Sequence, residues 1–360
     1  MSKTKRRIRP GIKYGLTIIV LIVVGIFVIR SDAFQNAYKS YRLENIGYLK
    51  EEAISLINDE EVYQYAKSHD YDPNLSSIVS LESFKVENTL NYLEYIQENE
   101  DAPVEDVVYL VNKGINYPYS NLLMDIASQK YFLLTRLQRY MDYGETSMED
   151  SEKIVAKVNA NRDYAYYTNT QKANKADQSV ILVNKYYSLD KDFNPGLVKI
   201  ADQYAFYDDM SLNSVAYNHF EELQKDAAKY GYSIYALSAY RSYDDQEKIY
   251  NDYKNSYGQA YADKWSARPG FSEHQTGLVM DVVSASNNLG AFEESNEYIW
   301  MKDNSYKYGF ILRFPSGKED ITGYGAEPWH YRYVGVDAAT VMYNEDLTLE
   351  EYYAYYVIQK

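Results

Sequence analysis

The sequence predicts an α+β domain around an antiparallel sheet, preceded by a transmembrane helix and an all-α helical region. Three observations carry this expectation. An uncharged apolar run follows a basic tail at the N-terminus. From residue 34 to about 175, apolar residues recur at three-to-four spacing. After that, short apolar runs of strand length alternate with amphipathic stretches in irregular order. The expected organisation is a basic tail over 1–13, a membrane anchor over 14–30, a helical region over 31–175, a globular domain over 176–345 and a tail over 346–360.

The anchor is YGLTIIVLIVVGIFVI, residues 14–29, closed by Arg30. At 1.5 Å per residue it gives ~24 Å of helix against a hydrocarbon core of ~30 Å, and Lys13 and Arg30 extend it by snorkelling. The tail MSKTKRRIRPGIK has no acid, so it stays cytoplasmic and everything after Arg30 is expected outside. A cleaved signal peptide is the rival, because Ser31, Asp32 and Ala33 offer small residues. Against it, Arg30 crowds that site and the apolar run is long for such a peptide.

The helical region follows. NTLNYLEYIQ (88–97) and YFLLTRLQRYM (131–141) carry helical periodicity, while PVEDVVYLVN (103–112) and SMEDSEKIVAKVN (147–159) read as helix starts. The two pairs suggest two copies of a helix–loop–helix unit offset by about 44 residues, with a worn third copy near GYLKEEAISLIN. His69 lies in a polar stretch and reads as a solvated loop histidine. No catalytic constellation is visible here. The region leaves room for a docked protein partner.

NTQKANKADQSV (169–180) is polar and aperiodic, and reads as the linker. Beyond it SVILVNKYYSL is strand-like and NPGL is a turn. SLNSVAYNHFEELQKDAAKYG (211–231) reads as a helix capped by Ser211, with Leu212, Val215, His219, Leu223 and Ala227 on one face. A strand (232–242), a helix from 243, a strand (277–284), a helix (295–309), a strand (310–315) and a loop leading into a strand (327–335) complete the domain.

Composition narrows the chemistry. The formal net charge of −15 argues against a nucleic-acid partner, which needs a basic face to displace counterions. With no cysteine, disulfides and thiolate metal sites are excluded, so any metal must be held by histidine and carboxylate. The 43 tyrosines suggest no mechanism by themselves.

Two of the four histidines stand in unusual surroundings. His274 precedes Gly277 and Asp281 in ARPGFSEHQTGLVMDVV (267–283). Seven positions cannot share one face of a straight strand, but a turn at Gln275–Gly277 would place His274 on a loop and Asp281 on the strand behind it. Imidazole and carboxylate are competent to bind zinc; a loop histidine and a core aspartate, each satisfied by backbone, are the structural alternative. EPWH (327–330) adds His330 and, three positions before it, Glu327. A catalytic zinc takes three protein ligands and leaves one position open; His274, Asp281 and His330 supply three, and Glu327 remains as a base. Pro328 keeps Glu327 extended, so this is no helical arrangement. His219 is a competing candidate, read as a core or boundary residue.

SAYRSYDDQ (238–246), FSEHQTGLVMD (271–281), YGFILRFP (308–315) and ITGYGAEPWHYRYVG (321–335) together resemble the VanY-type D-alanyl-D-alanine carboxypeptidases. These belong to a wider group of zinc peptidases with lysostaphin-type enzymes and the hedgehog signalling domain. The shared pattern, S-x-H-x-x-G-x-x-x-D followed by E-x-x-H, is met by Ser272, His274, Gly277, Asp281, Glu327 and His330. The resemblance covers about 178–340 and not the helical region.

It implies a bacterial cell-surface zinc carboxypeptidase, held by a single-pass anchor, that removes the terminal D-alanine from peptidoglycan stem peptides. His274, Asp281 and His330 would bind Zn2+, and Glu327 would be the general base. Arg241 would face the scissile carbonyl, and Gln246 and Ser272 would contact the substrate. Trp329 and Tyr331 read equally as pocket walls or core. D,D- and L,D-cleavage are both compatible with these residues. A cross-bridge endopeptidase and a non-catalytic zinc-stabilised binding module are the alternatives.

Overall fold

The apolar runs at 279, 310 and 327 pair into one sheet. In the computed structural model, which describes residues 10–285 and 289–358 and leaves out the side chains of 10–18 and 20, the chain divides into two units, Met1–Ser128 and Gln129–Lys360. The boundary therefore falls upstream of the expected linker near 175.

The strands are β1 (Gln171–Lys172), β2 (Tyr187–Ser188), β3 (Leu197–Lys199), β4 (Ser211–Asn213), β5 (Tyr235–Ser238), β6 (Val279–Val283), β7 (Phe310–Phe314) and β8 (Glu327–Tyr333). The last four form an antiparallel sheet in the order β5-β6-β8-β7. Alternation sorts its two faces. Met280, Val282, Phe310, Tyr331 and Tyr333 join the core, where Phe310 meets Phe220 at 6.4 Å. Asp281, His330, Arg332 and Arg313 take the other parity, and this is the functional side.

Several expectations are corrected. The helix expected over 211–231 is Ser214–Ala227, capped by the Asn213 side chain and not by Ser211, which lies in β4. Its buried stripe is therefore Ala216, Phe220, Leu223 and Ala227, and Val215 is exposed. The strand-like run 179–189 is buried but mostly irregular. The carbonyls of Ser179 and Ile181 accept from the Arg332 guanidinium, which takes the place of a strand partner. Residues 346–360 are not simply a tail: Leu349–Tyr352 and Tyr353–Val357 are helical, and Leu349, Glu350, Tyr353 and Ala354 are buried.

In the first unit, helices Pro73–Val79, Thr89–Glu98, Val104–Asn112 and Asn121–Ala127 succeed one another. Thr89–Glu98 and Val104–Asn112 form one copy of the repeat. There the Lys85 amide donates to the Tyr92 hydroxyl, which donates to Asn112, and Asn112 donates back to the Ser83 carbonyl. Within the second unit the same clasp recurs: Leu133 to Tyr140, Tyr140 to Asn159, and Asn159 to the Tyr131 carbonyl. The equivalence of Tyr92 with Tyr140 makes the period longer than about 44 residues, because the later helix begins after Asp150, whose side chain accepts from the Lys153 amide, and not at Ser147. Near 47–58 this clasp is not repeated; Tyr48 accepts from the Asp72 amide instead.

The N-terminal helix is Pro10–Ile29. Most of the basic tail lies outside the described residues, and of the anchor the side chains of 14–18 and 20 are left out. Among the described residues no single helix is long and apolar enough to cross a membrane; Leu21–Ile29 with Asp32–Glu44 pass together but are bent by 60°.

Residues 129–175 support the second unit directly. Arg162 donates to the Asp320 carbonyl, Lys153 and Lys157 pair with Asp320, and Tyr167 packs edge-on against Phe271. A protein comprising 129–360 should therefore melt at least ~5 °C above one comprising 176–360, as a few kcal/mol does in a domain of this size. Equal melting temperatures by differential scanning calorimetry would assign those residues no stabilising role.

Candidate active site and metal centre

His274 lies on the single-turn 3-10 helix Glu273–Thr276, which ends at Gly277 with φ +66°. A Cβ there would meet Leu197 at 3.0 Å and Pro195 at 3.1 Å, so the turn into β6 needs glycine on both conformational and steric grounds. The expected turn thus forms where the spacing asked for it. Asp281 sits on β6 directly opposite His330 on β8, and cross-strand partners project to the same face.

Glu327 and His330 are three apart, and a regular strand would send them to opposite faces. The β7–β8 register shifts there: two steps on β7, from Leu312 to Phe314, face four on β8, from Tyr331 to Glu327. This bulge turns both side chains to one site, and Pro328, with no amide hydrogen, fits an interrupted ladder. Glu327 comes within 3.4 Å of His330 Nδ1. A second irregularity between Ala236 and Ser238 of β5 precedes Arg241.

The donor atoms converge. His330 Nδ1 is 3.0 Å from Asp281 Oδ1, and His274 Nε2 is 3.5 Å from Asp281 Oδ2. One atom from each of the three residues lies within 4.8 Å of the others. These spacings suit a tetrahedral ion with bonds of ~2.0–2.1 Å, whose ligand atoms stand ~3.3 Å apart. His274 Nδ1 is tied to the Ala239 carbonyl at 2.6 Å, which leaves Nε2 for the metal. Two imidazoles and a carboxylate, without thiolate, fit zinc with an open position.

The electrostatics agree. Burial lowers His274 to about 4, so its imidazole is neutral and ready to ligate. Burial raises Asp281, but His274, the hydrogen bond with His330 and Arg241 outweigh it and bring it to about 2. Burial lowers His330, yet Asp281 and Glu273 overcompensate and hold it up at about 9. A proton on that imidazole balances a carboxylate-rich site, the charge that a bound metal ion would supply instead. Burial raises Glu327 above the usual carboxylate range, as suits a proton acceptor.

Glu273 was missed in the sequence, with the cluster around it. Its carboxylate accepts from Arg313 at 2.9 Å and Arg332 at 3.0 Å, and lies 3.7 Å from His330 Nε2. Arg313 reaches on to Glu350 at 2.5 Å and 2.9 Å. Burial alone would raise Glu273; the two guanidiniums hold it well below the carboxylate range. The available signal was a single arginine inside each of two apolar strands, FILRFP and WHYRYVG.

Arg241 donates to Gln246 Oε1 at 2.8 Å and to Ser238 Oγ at 3.2 Å. Gln246 is buried and gives its own amide hydrogens to Ser266 and the Ala267 carbonyl, so it holds Arg241 in place. Arg241, Gln246, Ser272 and Glu327 line the same cavity of about 300 Å³ as the three metal-ligand candidates. Trp329 is a wall of that cavity, while Tyr331 is core. His219 stacks on Tyr333 at 5.2 Å, and His69 stacks on Tyr65 at 4.2 Å; neither joins the site.

Residues 209–336 match the family model described as VanY, D-alanyl-D-alanine carboxypeptidase. YodJ of Bacillus subtilis (strain 168), carboxypeptidase by name, is 45% identical over 48% of this chain and 66% of its own length. A D-alanyl-D-alanine carboxypeptidase of Enterococcus faecalis (strain ATCC 700802 / V583) is 35% identical over 51% of this chain and 69% of its own. The bifunctional D-Ala-D-Ala dipeptidase and carboxypeptidase VanXYC of Enterococcus gallinarum is 33% identical over 48% of this chain and 93% of its own. The chain thus spans about two thirds of the first two relatives.

If the three ligands are assigned correctly, the purified protein should carry about one zinc per chain, and His274→Ala or His330→Ala should lose it. Metal analysis checks this; full zinc in both variants would overturn the ligand set.

Proposed function

Because the chain belongs to the VanY family of D-alanyl-D-alanine carboxypeptidases, we propose that it is a zinc metallopeptidase that removes the terminal D-alanine from peptidoglycan stem peptides. The observation that carries the reading is the convergence of His274, Asp281, His330 and Glu327 on one cavity that also holds Arg241. A structural zinc site has no use for a half-buried carboxylate beside its ligands or for a cation facing the same space. The cavity is at the small end for ligand sites, which suits the end of a peptide built from alanines.

Zinc, when bound, lowers the pKa of water and polarises the scissile carbonyl. Glu327 accepts the proton of the attacking water and returns it to the departing amine. The Arg241 guanidinium, a fixed cation held by Gln246 and Ser238, donates to the oxygen on which negative charge develops. Ser272, buried at the edge of the cavity, contacts the peptide. Both D,D- and L,D-cleavage fit this arrangement.

We also propose that the N-terminal helix anchors the enzyme with its catalytic unit outside the cytoplasm. The basic tail and uncharged run support this, as do Ile19 and Leu21–Val24, which are 52–65% exposed to solvent and call for an apolar surrounding. On intact protoplasts, external protease should degrade the catalytic unit, with the protein sedimenting with membranes. Protection from protease would place the unit in the cytoplasm.

Glu327→Gln keeps volume but accepts no proton. It should retain zinc and fold while kcat for a D-Ala–D-Ala pentapeptide falls at least ~10²-fold. Arg241→Ala should cost ~10²–10³-fold. The losses need not multiply, since both groups act in one transition state. Full activity in Glu327→Gln, by chromatographic product analysis, would return the site to a structural role; loss of zinc would make Glu327 a ligand.

A further inference from the structure

The helix Tyr243–Tyr257 stops at Gly258, whose φ of +86° breaks the run, and a second helix, Gln259–Trp265, follows. Tyr253, Tyr257, Tyr261 and Trp265 recur at four-residue spacing across this break, and their rings gather in one patch. Tyr261 is 6.2 Å from both Tyr253 and Trp265, and 4.7 Å from Tyr257. Tyr253 and Tyr261 are nearly parallel, at 16°. All four are exposed, from 37% at Tyr253 to 66% at Tyr257.

An exposed tyrosine means little in a chain with 43 of them. Position is what distinguishes this group. Tyr253 and Trp265 line the active-site cavity, so the patch begins at its mouth and continues outward through Tyr261 to Tyr257. A contiguous apolar surface of this kind marks a binding site more often than an isolated aromatic does.

We propose that these four rings form a platform for the sugar rings of the glycan chain that carries the stem peptide. The inference rests on the carboxypeptidase reading above and extends it to the rest of the polymer. A pyranose presents an apolar face of C–H groups, and the negative face of an aromatic ring attracts them, as it attracts the positive edge of another ring. Tyrosine hydroxyls and the indole N–H add donors for ring substituents. The four rings are uncharged, with the Lys264 ammonium 5.0 Å from the centre of the Trp265 ring, and the chain's net charge of −15 disfavours a polyanionic wall polymer. Reach agrees as well. With two terminal residues in the cavity, the remaining three of a pentapeptide extend at most ~11 Å. The saccharide then arrives within a few ring widths of the mouth.

The test uses the full-length protein and the double variant Tyr257→Ser/Tyr261→Ser, neither residue lining the cavity. Two substrates are compared, a free D-Ala–D-Ala pentapeptide and the same peptide on its disaccharide. The double variant should keep kcat/KM for the free peptide within about twofold, and lose about 5- to 10-fold on the disaccharide form, mainly through KM. Tyr230→Ser is the control: Tyr230 is 64% exposed and lies beside Tyr232 and Trp300, away from the cavity lining, and its variant should match the parent on both substrates. Equal kinetics of the double variant and the parent on both substrates would overturn the platform, and equal losses on both would assign it to peptide. A binding arm separates this result from failure of the enzymatic reading. Glu327→Gln protein should be retained on glycan strands stripped of peptide, and Glu327→Gln with the two serine changes should not. That contrast stands even if the parent cleaves neither substrate; retention of both proteins alike, or of neither, overturns the proposal.

Discussion

The Glu273 carboxylate is the constraint on which the catalytic unit turns. It is buried next to His274 in sequence and against His330 in space, and it is matched by two arginines from neighbouring strands, Arg313 on β7 and Arg332 on β8. Through Arg313 it reaches Glu350 in the C-terminal helix, and through Arg332 the carbonyls of Ser179 and Ile181. One carboxylate thereby ties together the turn that presents His274, two adjacent strands, the run at 179–181 and the C-terminal helix. Breaking such a buried pair by removing one partner costs ~3–5 kcal/mol, because the other charge stays behind uncompensated.

The site is built from departures from regular structure. The β8 bulge brings Glu327 to the side of His330, the β5 irregularity precedes Arg241, and the left-handed Gly277 closes the turn between His274 and β6. The regular part, the Asp281–His330 pairing, supplies the rigid reference. Rigid pairing sets the spacing of the ligands, and the bulge adds a base that a flat strand would turn away.

Function divides along the same lines. The cavity is lined by the polar machinery and by aromatic side chains, of which Tyr253 and Trp265 also reach the surface. Gln246, in the cavity lining, spends its amide on Arg241, Ser266 and the Ala267 carbonyl, and so holds the guanidinium in position. The repeated Tyr–Asn clasp shows a different economy, in which one local hydrogen-bonding device serves in both units.

The sequence alone pointed to the four strands of the main sheet and to the candidate metal ligands that the fold brings together. Each depends on short-range signals: period-two alternation, a glycine at a turn, and histidines too rare in this chain to be incidental. It also supported the repeat, though not its period, because Asp150 and Ser147 are equally good caps until one is used. What only the tertiary structure decided are the long-range facts. The burial of Glu273, Arg313, Arg332 and Glu350 depends on partners 37 or more residues apart, as the Arg332–Glu273 pair shows at a separation of 59. Ser179–Leu189 looked like one strand because it is apolar; only Tyr187–Ser188 pairs as one, while at its start a guanidinium, not a neighbouring strand, satisfies the carbonyls of Ser179 and Ile181. Residues 349–357 looked like a tail because nothing local reveals that Glu350 has an arginine waiting inside the fold. Local pattern says which residues are to be buried; the three-dimensional arrangement decides what they are buried against.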